Sequence, residues 1–440
     1  MSTAATQVIS EPLKEVKIGI LGFGTVGAGV VEAILNNGEL MAQRTGILPK
    51  IGKIADLDIN TDRGVKVDAS LLTTDALAVI NDPEIDVIVE LIGGIKTAKD
   101  FVLRALKNGK PVVTANKALL AEAGRELFDA SVQSGAGLYF EASVGGGIPV
   151  LRALRDGLVG NRIKSMYGIL NGTCNYILTR MEREGLDFDV VLADAQKLGY
   201  AETPPDLDID GIDTAHKAVV LASLAYGAPV AMDAFTIEGI RGLSHREIEY
   251  AAELGYRIKL LAVIREVNGE IEMRVEPSLI PEGHLLASVH DSYNAVFVEG
   301  DVVGSTLYYG RGAGRLPTAS AVIGDIMEAV AGKGGCSAWL LKHQALPVRS
   351  AQDISIRCYL RLSLKDQPDV IAQVAHVLGK NKISIGAVMQ KEQNAGEQVP
   401  VVFLTHKALE RNLAAAMDEI ERLDVVSGKP VRMAIEDFES

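Results

Sequence analysis

Lys17-Ile18-Gly19-Ile20-Leu21-Gly22-Phe23-Gly24-Thr25-Val26-Gly27 decides the fold of the first part of this chain. An apolar strand from Lys17 to Leu21 runs directly into G-x-G-x-x-G, and Val26 to Leu35 continues with helically spaced apolar residues. In that context the glycines permit a tight turn and a close approach of pyrophosphate to helix N-terminal amides. Gly22, Phe23, Gly24, Thr25, Val26 and Gly27 are therefore the candidate cofactor-binding residues. A strand–turn–helix corner needs glycine even without a ligand, so placement carries the argument more than the glycine count.

Working outward, Ile51 to Ala55 reads as the second strand, Ile85 to Leu91 and Pro111 to Thr114 as further strands, and Ala98 to Leu106 as a helix. Alternation of this kind predicts βαβ units and a parallel α/β sheet. Asp56, at the end of the second strand, suits a ribose 2′-hydroxyl and would repel a 2′-phosphate. Lys53 and Arg63 suit a phosphate, and Asp56 is equally a turn or cap residue, so NAD and NADP both remain open. Thr114 and Lys117 follow a strand at the sheet's carboxyl edge, where open α/β folds bind ligands. A surface lysine after a strand is the plainer reading of Lys117.

With 440 residues the chain has room for several domains, and a formal charge of -13, from 57 acids and 44 bases, argues against a nucleic-acid binder. Met1 to Glu15 lacks the apolar core of a secretory signal, which points to the cytosol. Ala218 to Met232 is apolar but contains Ser223, Tyr226, Gly227 and Pro229, and reads as core, not as a membrane span. Cys174, Cys336 and Cys358 are widely spaced without a CxxC, so reduced thiols are expected.

Gly135-Ala136-Gly137 leads into Leu138 to Ala142, and then Val144-Gly145-Gly146-Gly147-Ile148-Pro149. Beyond it, to about Gly310, helices and strands mix less regularly, as in an α+β domain. The glycines after Glu141 would let the backbone expose carbonyls to a hard cation, and a tight crossover explains them as well. Pro317 to Val330 is helix-like and returns the chain to the first domain, with a break at Gly332 to Gly335 and a boundary near Leu346 to Ser350. From Asp353 the order is strand Ile354–Leu364, helix Pro368–Leu378, strands Ile383–Gln390 and Pro400–Thr405, helix Leu409–Leu423 and strand Pro430–Ile435. That βαββαβ order predicts a ferredoxin-like sandwich.

The charged centre of the chain is Gly199-Tyr200-Ala201-Glu202, Asp208, Asp210-Gly211-Ile212-Asp213 and Lys217. If Gly211 opens a helix, Asp213 and Lys217 share one face in the favourable acid-first order. A solvated helix face gives the same spacing. Cys174, in Asn171-Gly172-Thr173-Cys174-Asn175, reads either as a nucleophile near a helix start or as packing.

Together these features resemble the homoserine dehydrogenase family, whose members reduce L-aspartate 4-semialdehyde to L-homoserine on the way to threonine, methionine and isoleucine. The likeness covers nearly the whole chain. Its most specific part is A-x-x-x-G-Y-A-E followed by P-x-x-D-I-x-G-x-D-x-x-x-K, here Ala195, Gly199 to Glu202, Pro205, Asp208, Ile209, Gly211, Asp213 and Lys217. Pro204 departs from the Asp, Asn or Ser usual in the family. Asn171 to Asn175 matches the family's N-G-T-x-N, with Cys174 at the variable place, and Gly310 to Ala319 matches a segment that closes over the cofactor.

The resemblance implies a Rossmann-type dinucleotide-binding domain over 1–137 with a return segment at about 311–345. It implies an α+β catalytic and dimerisation domain over 138–310 and a C-terminal ferredoxin-like ACT domain over 353–440. Lys217 is the first choice for proton donor, with Lys117 next and also near the substrate. The same likeness gives Glu202, Asp208 and Asp213 to the substrate, and Thr114, Lys117 and Gly310 to the NAD or NADP cofactor. Glu141, Val144, Gly146 and Ile148 would hold a monovalent cation, sodium or potassium, largely through main-chain carbonyls. The expected partners are a small-molecule substrate, threonine as effector, and a second copy or more in a dimer or tetramer, with neither nucleic acid nor membrane. Asp369 replaces the glycine usual after Pro368 in ACT domains. A Cys-dependent semialdehyde dehydrogenase using Cys174, and a non-catalytic regulator binding nucleotide and amino acid, are the competing readings.

Overall fold

The computed structural model describes residues 13–227, 230–332, 335, 346–390 and 398–438. Cys336, most of the expected break after Gly332, the end of the return segment and the chain start lie outside the described residues. The chain forms two compact units, residues 1–155 with 311–344 and residues 156–310 with 345–440.

In the first unit the elements are β1 (Lys14–Leu21), α1 (Thr25–Thr45), β2 (Ile47–Ala55), β3 (Leu72–Thr73), α2 (Ala76–Asn81), β4 (Val87–Glu90), α3 (Lys96–Lys107), β5 (Val112–Thr114), α4 (Lys117–Ser134) and β6 (Leu138–Tyr139). Their strands pair in parallel in the order β3-β2-β1-β4-β5-β6. This is the 3-2-1-4-5-6 order of a doubly wound sheet, with its switch point between β1 and β4. Ile18, Ile20, Val87, Val89 and Val113 are buried in its core, as expected of strands covered on both faces.

Helix α1 runs to Thr45, past the Val26 to Leu35 stretch read from the sequence. Gly38 lies buried within it, and the helix stops at Gly46, whose left-handed backbone (φ 74°) donates its N–H to the Ala42 carbonyl. Strand β6 is shorter than the stretch Leu138–Ala142 because the Glu141 N–H donates to Asp325 Oδ2 at 2.8 Å and Glu141–Ser143 forms a 3-10 turn. A later helix of this unit (Arg315–Val330) packs on α1, where Ala319, Val322 and Ile326 join Val30, Val31 and Ile34.

The second unit contains a sheet of eleven strands among the described residues. Its first half comprises β7 (Ile163–Ile169), β9 (Tyr256–Val267), β10 (Glu270–Pro281), β11 (Tyr293–Gly300) and β12 (Gly304–Arg311), ordered β12-β11-β7-β9-β10, with a short β8 (Thr236–Ile237) beside β10. Helices α6 (Gly172–Glu184) and α9 (Ile212–Tyr226) pack against β9. Between them in sequence lie α7 (Phe188–Lys197) and the single turn α8 (Asp206–Ile209).

The last part folds as β13 (Ser355–Lys365), α12 (Val370–Lys380), β14 (Ile385–Gln390), β15 (Gln398–Thr405), α13 (Glu410–Ile420) and β17 (Val426–Ile435), with β16 (Ala408–Leu409) beside β13. Its strands stand in the order β17-β13-β15-β14. Val374, Leu378, Leu413 and Ile420 from its helices pack over Leu360, Leu362 and Phe403. Strand β17 continues the other half of the sheet by pairing in parallel with β10 at Ser278↔Ala434 and Leu279↔Ile435. Asp369 caps α12 with φ 73°, the left-handed backbone that glycine adopts freely and Asp tolerates. Among the described residues no helix is long and apolar enough to cross a membrane.

Candidate active site

The glycine turn divides its three glycines among three tasks. Gly22 has φ 102°, and a Cβ there would meet the Leu91 backbone at 2.6 Å. Gly27 packs helix against strand so closely that a Cβ would lie 2.1 Å from the Gly22 oxygen. A Cβ on Gly24 would meet nothing within 4 Å, so its surface at the N-terminus of α1 is open, as a pyrophosphate bound there would require. Phe23 is buried, while Thr25 and Val26 open α1, with Thr25 exposed. Asp56 accepts the Phe23 N–H at 2.5 Å on one carboxylate oxygen and the Asp58 N–H at 2.8 Å on the other. The acid at the end of β2 thus ties the turn down, the cap role weighed for it above.

At the carboxyl edge of β4 and β5 lies an acid the sequence reading passed over. Glu90 is fully buried, and burial pushes its carboxyl above the usual range. It accepts the Thr114 hydroxyl at 2.6 Å and the Ile92 N–H at 2.9 Å. Thr114 Oγ1 in turn accepts the Asn116 N–H at 3.0 Å, and the Asn116 amide donates to the Gly94 carbonyl at 2.6 Å. Asn116 also caps α4 by accepting the Leu119 N–H, and half-buried Lys117 is the first residue of that helix. A carboxylate closing an otherwise apolar strand was the available signal.

The expected cation loop is buried at Glu141, Val144 and Ile148. The Glu141 carboxylate accepts the Leu151 N–H at 2.9 Å and the Arg152 N–H at 2.7 Å, and burial raises its pKa to about 7. A Cβ on Gly146 would meet the Gly312 carbonyl at 2.5 Å, and the Gly147 N–H donates to the Arg311 carbonyl at 3.1 Å, so this loop seats the segment that follows Gly310. Arg315 from that segment reaches Glu32 at 2.8 Å and the Arg63 carbonyl at 2.8 Å. Gly310 itself lies near the end of β12. Among the described residues no group of three or more His, Cys, Asp or Glu side chains is arranged to hold a metal ion, so a cation at this loop would need main-chain oxygens.

The acid–lysine cluster stands in the second unit. Gly211 opens α9 as anticipated, but every residue of the helix is buried or half-buried and Lys217 is 8% exposed, which rules out a solvated face. Lys217 Nζ donates to Asp213 Oδ2 at 2.7 Å and to the Leu170 carbonyl at 2.6 Å. Asn171 donates to Asp208 Oδ1 at 2.8 Å and to Asp213 Oδ2 at 2.9 Å. Burial raises the Asp208 carboxyl, opposed by the Asn171 hydrogen bond, while Asp213 and exposed Glu202 push it further up. Glu202 is carried on a loop held by the Thr173 hydroxyl, which donates to the Tyr200 carbonyl at 2.6 Å, and by stacking of Tyr200 on Tyr176. Cys174 is fully buried; its thiol donates to the Asp208 carbonyl at 3.2 Å, and burial holds its pKa well above that of an ordinary thiol. Packing is therefore its role in the fold. The structure brings Asp208, Asp213, Lys217 and Glu202 together in one unit, and the glycine turn, Thr114 and Lys117 along one sheet edge in the other.

The doubly wound sheet with its glycine turn in one unit, and the acid–lysine cluster in the other, belong to a chain of the class of NAD(P)-dependent oxidoreductases acting on a CH–OH group. The family model "Homoserine dehydrogenase, NAD binding domain" matches residues 22–141, and "Homoserine dehydrogenase" matches residues 149–327. A homoserine dehydrogenase of Pseudomonas aeruginosa is 45% identical over 96% of this chain and 99% of its own. The crystal structure of a homoserine dehydrogenase from Thiobacillus denitrificans superposes with a TM-score of 0.91 at 43% identity, covering 96% of this chain and 99% of that one. A hyperthermophilic archaeal homoserine dehydrogenase solved in complex with NADPH is 27% identical with a TM-score of 0.59, over 72% of this chain and 98% of that one. The chain belongs to the homoserine dehydrogenase family.

Proposed function

We propose that the cluster around Lys217 is where L-aspartate 4-semialdehyde and L-homoserine interconvert, with Lys217 as the proton donor to the aldehyde oxygen. The observation that carries this reading is the Lys217 ammonium, nearly buried yet held by the two short hydrogen bonds it donates to the Asp213 carboxylate and the Leu170 carbonyl. Such an ammonium stabilises a developing alkoxide before giving up its proton. When bound, a nicotinamide cofactor supplies or accepts the hydride. Glu202, Asp208 and Asp213 hold the substrate's ammonium and hydroxyl groups, and Lys117 is the second proton-handling and substrate-binding candidate.

Gly22 to Gly27, Thr114, Lys117 and Gly310 hold the cofactor, with the open face of Gly24 as the strongest support. NADP is supported by the archaeal relative solved with NADPH, and the Asp56 carboxylate that would disfavour it is engaged by two backbone amides. Glu141, Val144, Gly146 and Ile148 form a main-chain site for a structural sodium or potassium ion. The dinucleotide-binding domain spans 1–137 with its return segment and the catalytic domain 138–310. Residues 353–440 form a ferredoxin-like ACT domain, supported by the βαββαβ order and the β17-β13-β15-β14 arrangement. Threonine acts there as effector, and the enzyme works as a dimer or tetramer in the cytosol.

The test follows oxidation of NADPH and, separately, NADH with L-aspartate 4-semialdehyde, with and without threonine, in wild type and Lys217→Ala. Substrate-dependent turnover that collapses in the variant supports the reading. Turnover that survives in it removes Lys217 from the chemistry, and unchanged turnover with threonine removes the effector.

A further inference from the structure

Asn171 holds more hydrogen bonds to the charged cluster than any role yet given to it requires. As the cap of α6 its Oδ1 accepts the Cys174 N–H at 2.7 Å, which fixes the amide so that both Nδ2 hydrogens face the acids. One goes to Asp208 Oδ1 at 2.8 Å and the other to Asp213 Oδ2 at 2.9 Å, the same oxygen that receives Lys217 Nζ at 2.7 Å. The side chain is almost fully buried, so no water replaces these bonds at little cost. Serine, threonine and aspartate cap helices as well as asparagine does. Only asparagine among them caps with one atom and donates twice with the other.

We infer that Asn171 is a positioning residue for the reaction, a bridge that keeps Asp208 and Asp213 ionised side by side and thereby aims Lys217. Two carboxylates this near each other tend to share a proton unless donors stand between them. The other groups facing the pair are Lys217, Glu202, the buried thiol of Cys174, and Asp210, which is drawn away by its ion pair with Arg241 at 2.7 Å. Of these only Lys217 is a cation; it touches Asp213 and reaches Asp208 through its charge alone, so among the described residues the side-chain hydrogen bond to the Asp208 carboxylate comes from Asn171. The inference rests on the proposed role of the Lys217 cluster.

Asn171→Asp is nearly isosteric and keeps the cap, but turns the double donor into a third carboxylate. Asn171→Ser keeps the cap and only removes the donor. Both are compared with wild type in the pH profile of kcat/KM, with thermal melting as the control for folding. The expected result is an acid limb moved up by about one pH unit in Asn171→Ser and further in Asn171→Asp, because carboxylates that lose their donor protonate at higher pH. Limbs that coincide with wild type overturn the inference, even if activity falls uniformly, since a cap that only builds the helix would act at every pH. Lys217→Met is run alongside. If it stays active the functional reading fails; if it is inactive while the Asn171 limbs are unmoved, only the bridge fails.

Discussion

Gly27 sits so close to Gly22 that a Cβ on the first would come within 2.1 Å of the carbonyl oxygen of the second. The same turn leaves Gly24 facing open space. Gly27→Ala therefore overpacks the corner and should destabilise the first unit by about 1–3 kcal/mol, lowering its melting temperature. Gly24→Ala should leave melting unchanged and raise the KM for coenzyme about tenfold, with the KM for L-homoserine unmoved, because the added methyl occupies only the cradle. Equal effects of the two variants on melting would contradict this division of labour.

Cys174 offers a direct choice between hydride transfer and thiol chemistry. Its sulfur is fully buried and donates to the Asp208 carbonyl, and a thiol held well above its ordinary pKa is a poor nucleophile. Cys174→Ser should keep kcat within about threefold of wild type, since reduction of an aldehyde needs no covalent intermediate. Loss of turnover, together with dependence on phosphate or coenzyme A, would favour the thiol mechanism instead.

Much of the first unit was readable in the sequence because its signals are local. The strand, glycine turn and helix are contiguous, and in the second unit Asp213 and Lys217 likewise announce a shared helix face by spacing alone. Burial was not readable, and it is burial that separates an ion pair on a wet surface from a held ammonium. Asn171 was visible only as part of a motif, since its two acids lie 37 and 42 residues away. Glu90 was missed because one acid ending an apolar strand has no pattern of its own. The junction of β10 with β17 rests on two residue pairs more than 150 positions apart, which leaves no periodic trace.

That junction is closed by a buried guanidinium. Arg274 donates to Glu276 at 2.6 Å and to Glu272 at 3.3 Å, and pairs with Glu436 from just beyond β17. Removing one member of such a cluster leaves buried charge without compensation. Arg274→Met should cost about 3–5 kcal/mol in urea denaturation, well beyond a surface substitution. A loss below about 1 kcal/mol would show that the acids simply protonate or reorient.

Lys259 makes stability depend on alkaline pH. It is buried, donates to the Val289 carbonyl at 2.6 Å and Asn175 Oδ1 at 3.2 Å, and burial lowers its pKa from 10.5 to about 8. Between those values the folded protein binds fewer protons than the unfolded chain, so this group's contribution to stability rises with pH across the window and is least below it. The stability of wild type relative to Lys259→Met should therefore improve by roughly 3 kcal/mol from the lower to the upper end of that window. Parallel stability curves for the two proteins would refute the assignment.

The proposed proton donor is the Lys217 ammonium. The most direct test of that role is the steady-state reduction of L-aspartate 4-semialdehyde by Lys217→Met beside wild type, with coenzyme binding measured by fluorescence in both. With Lys217 as the proton donor, kcat should fall by about 10²–10⁴, the usual worth of a general acid, with coenzyme affinity intact. A kcat within about tenfold of wild type would contradict that role.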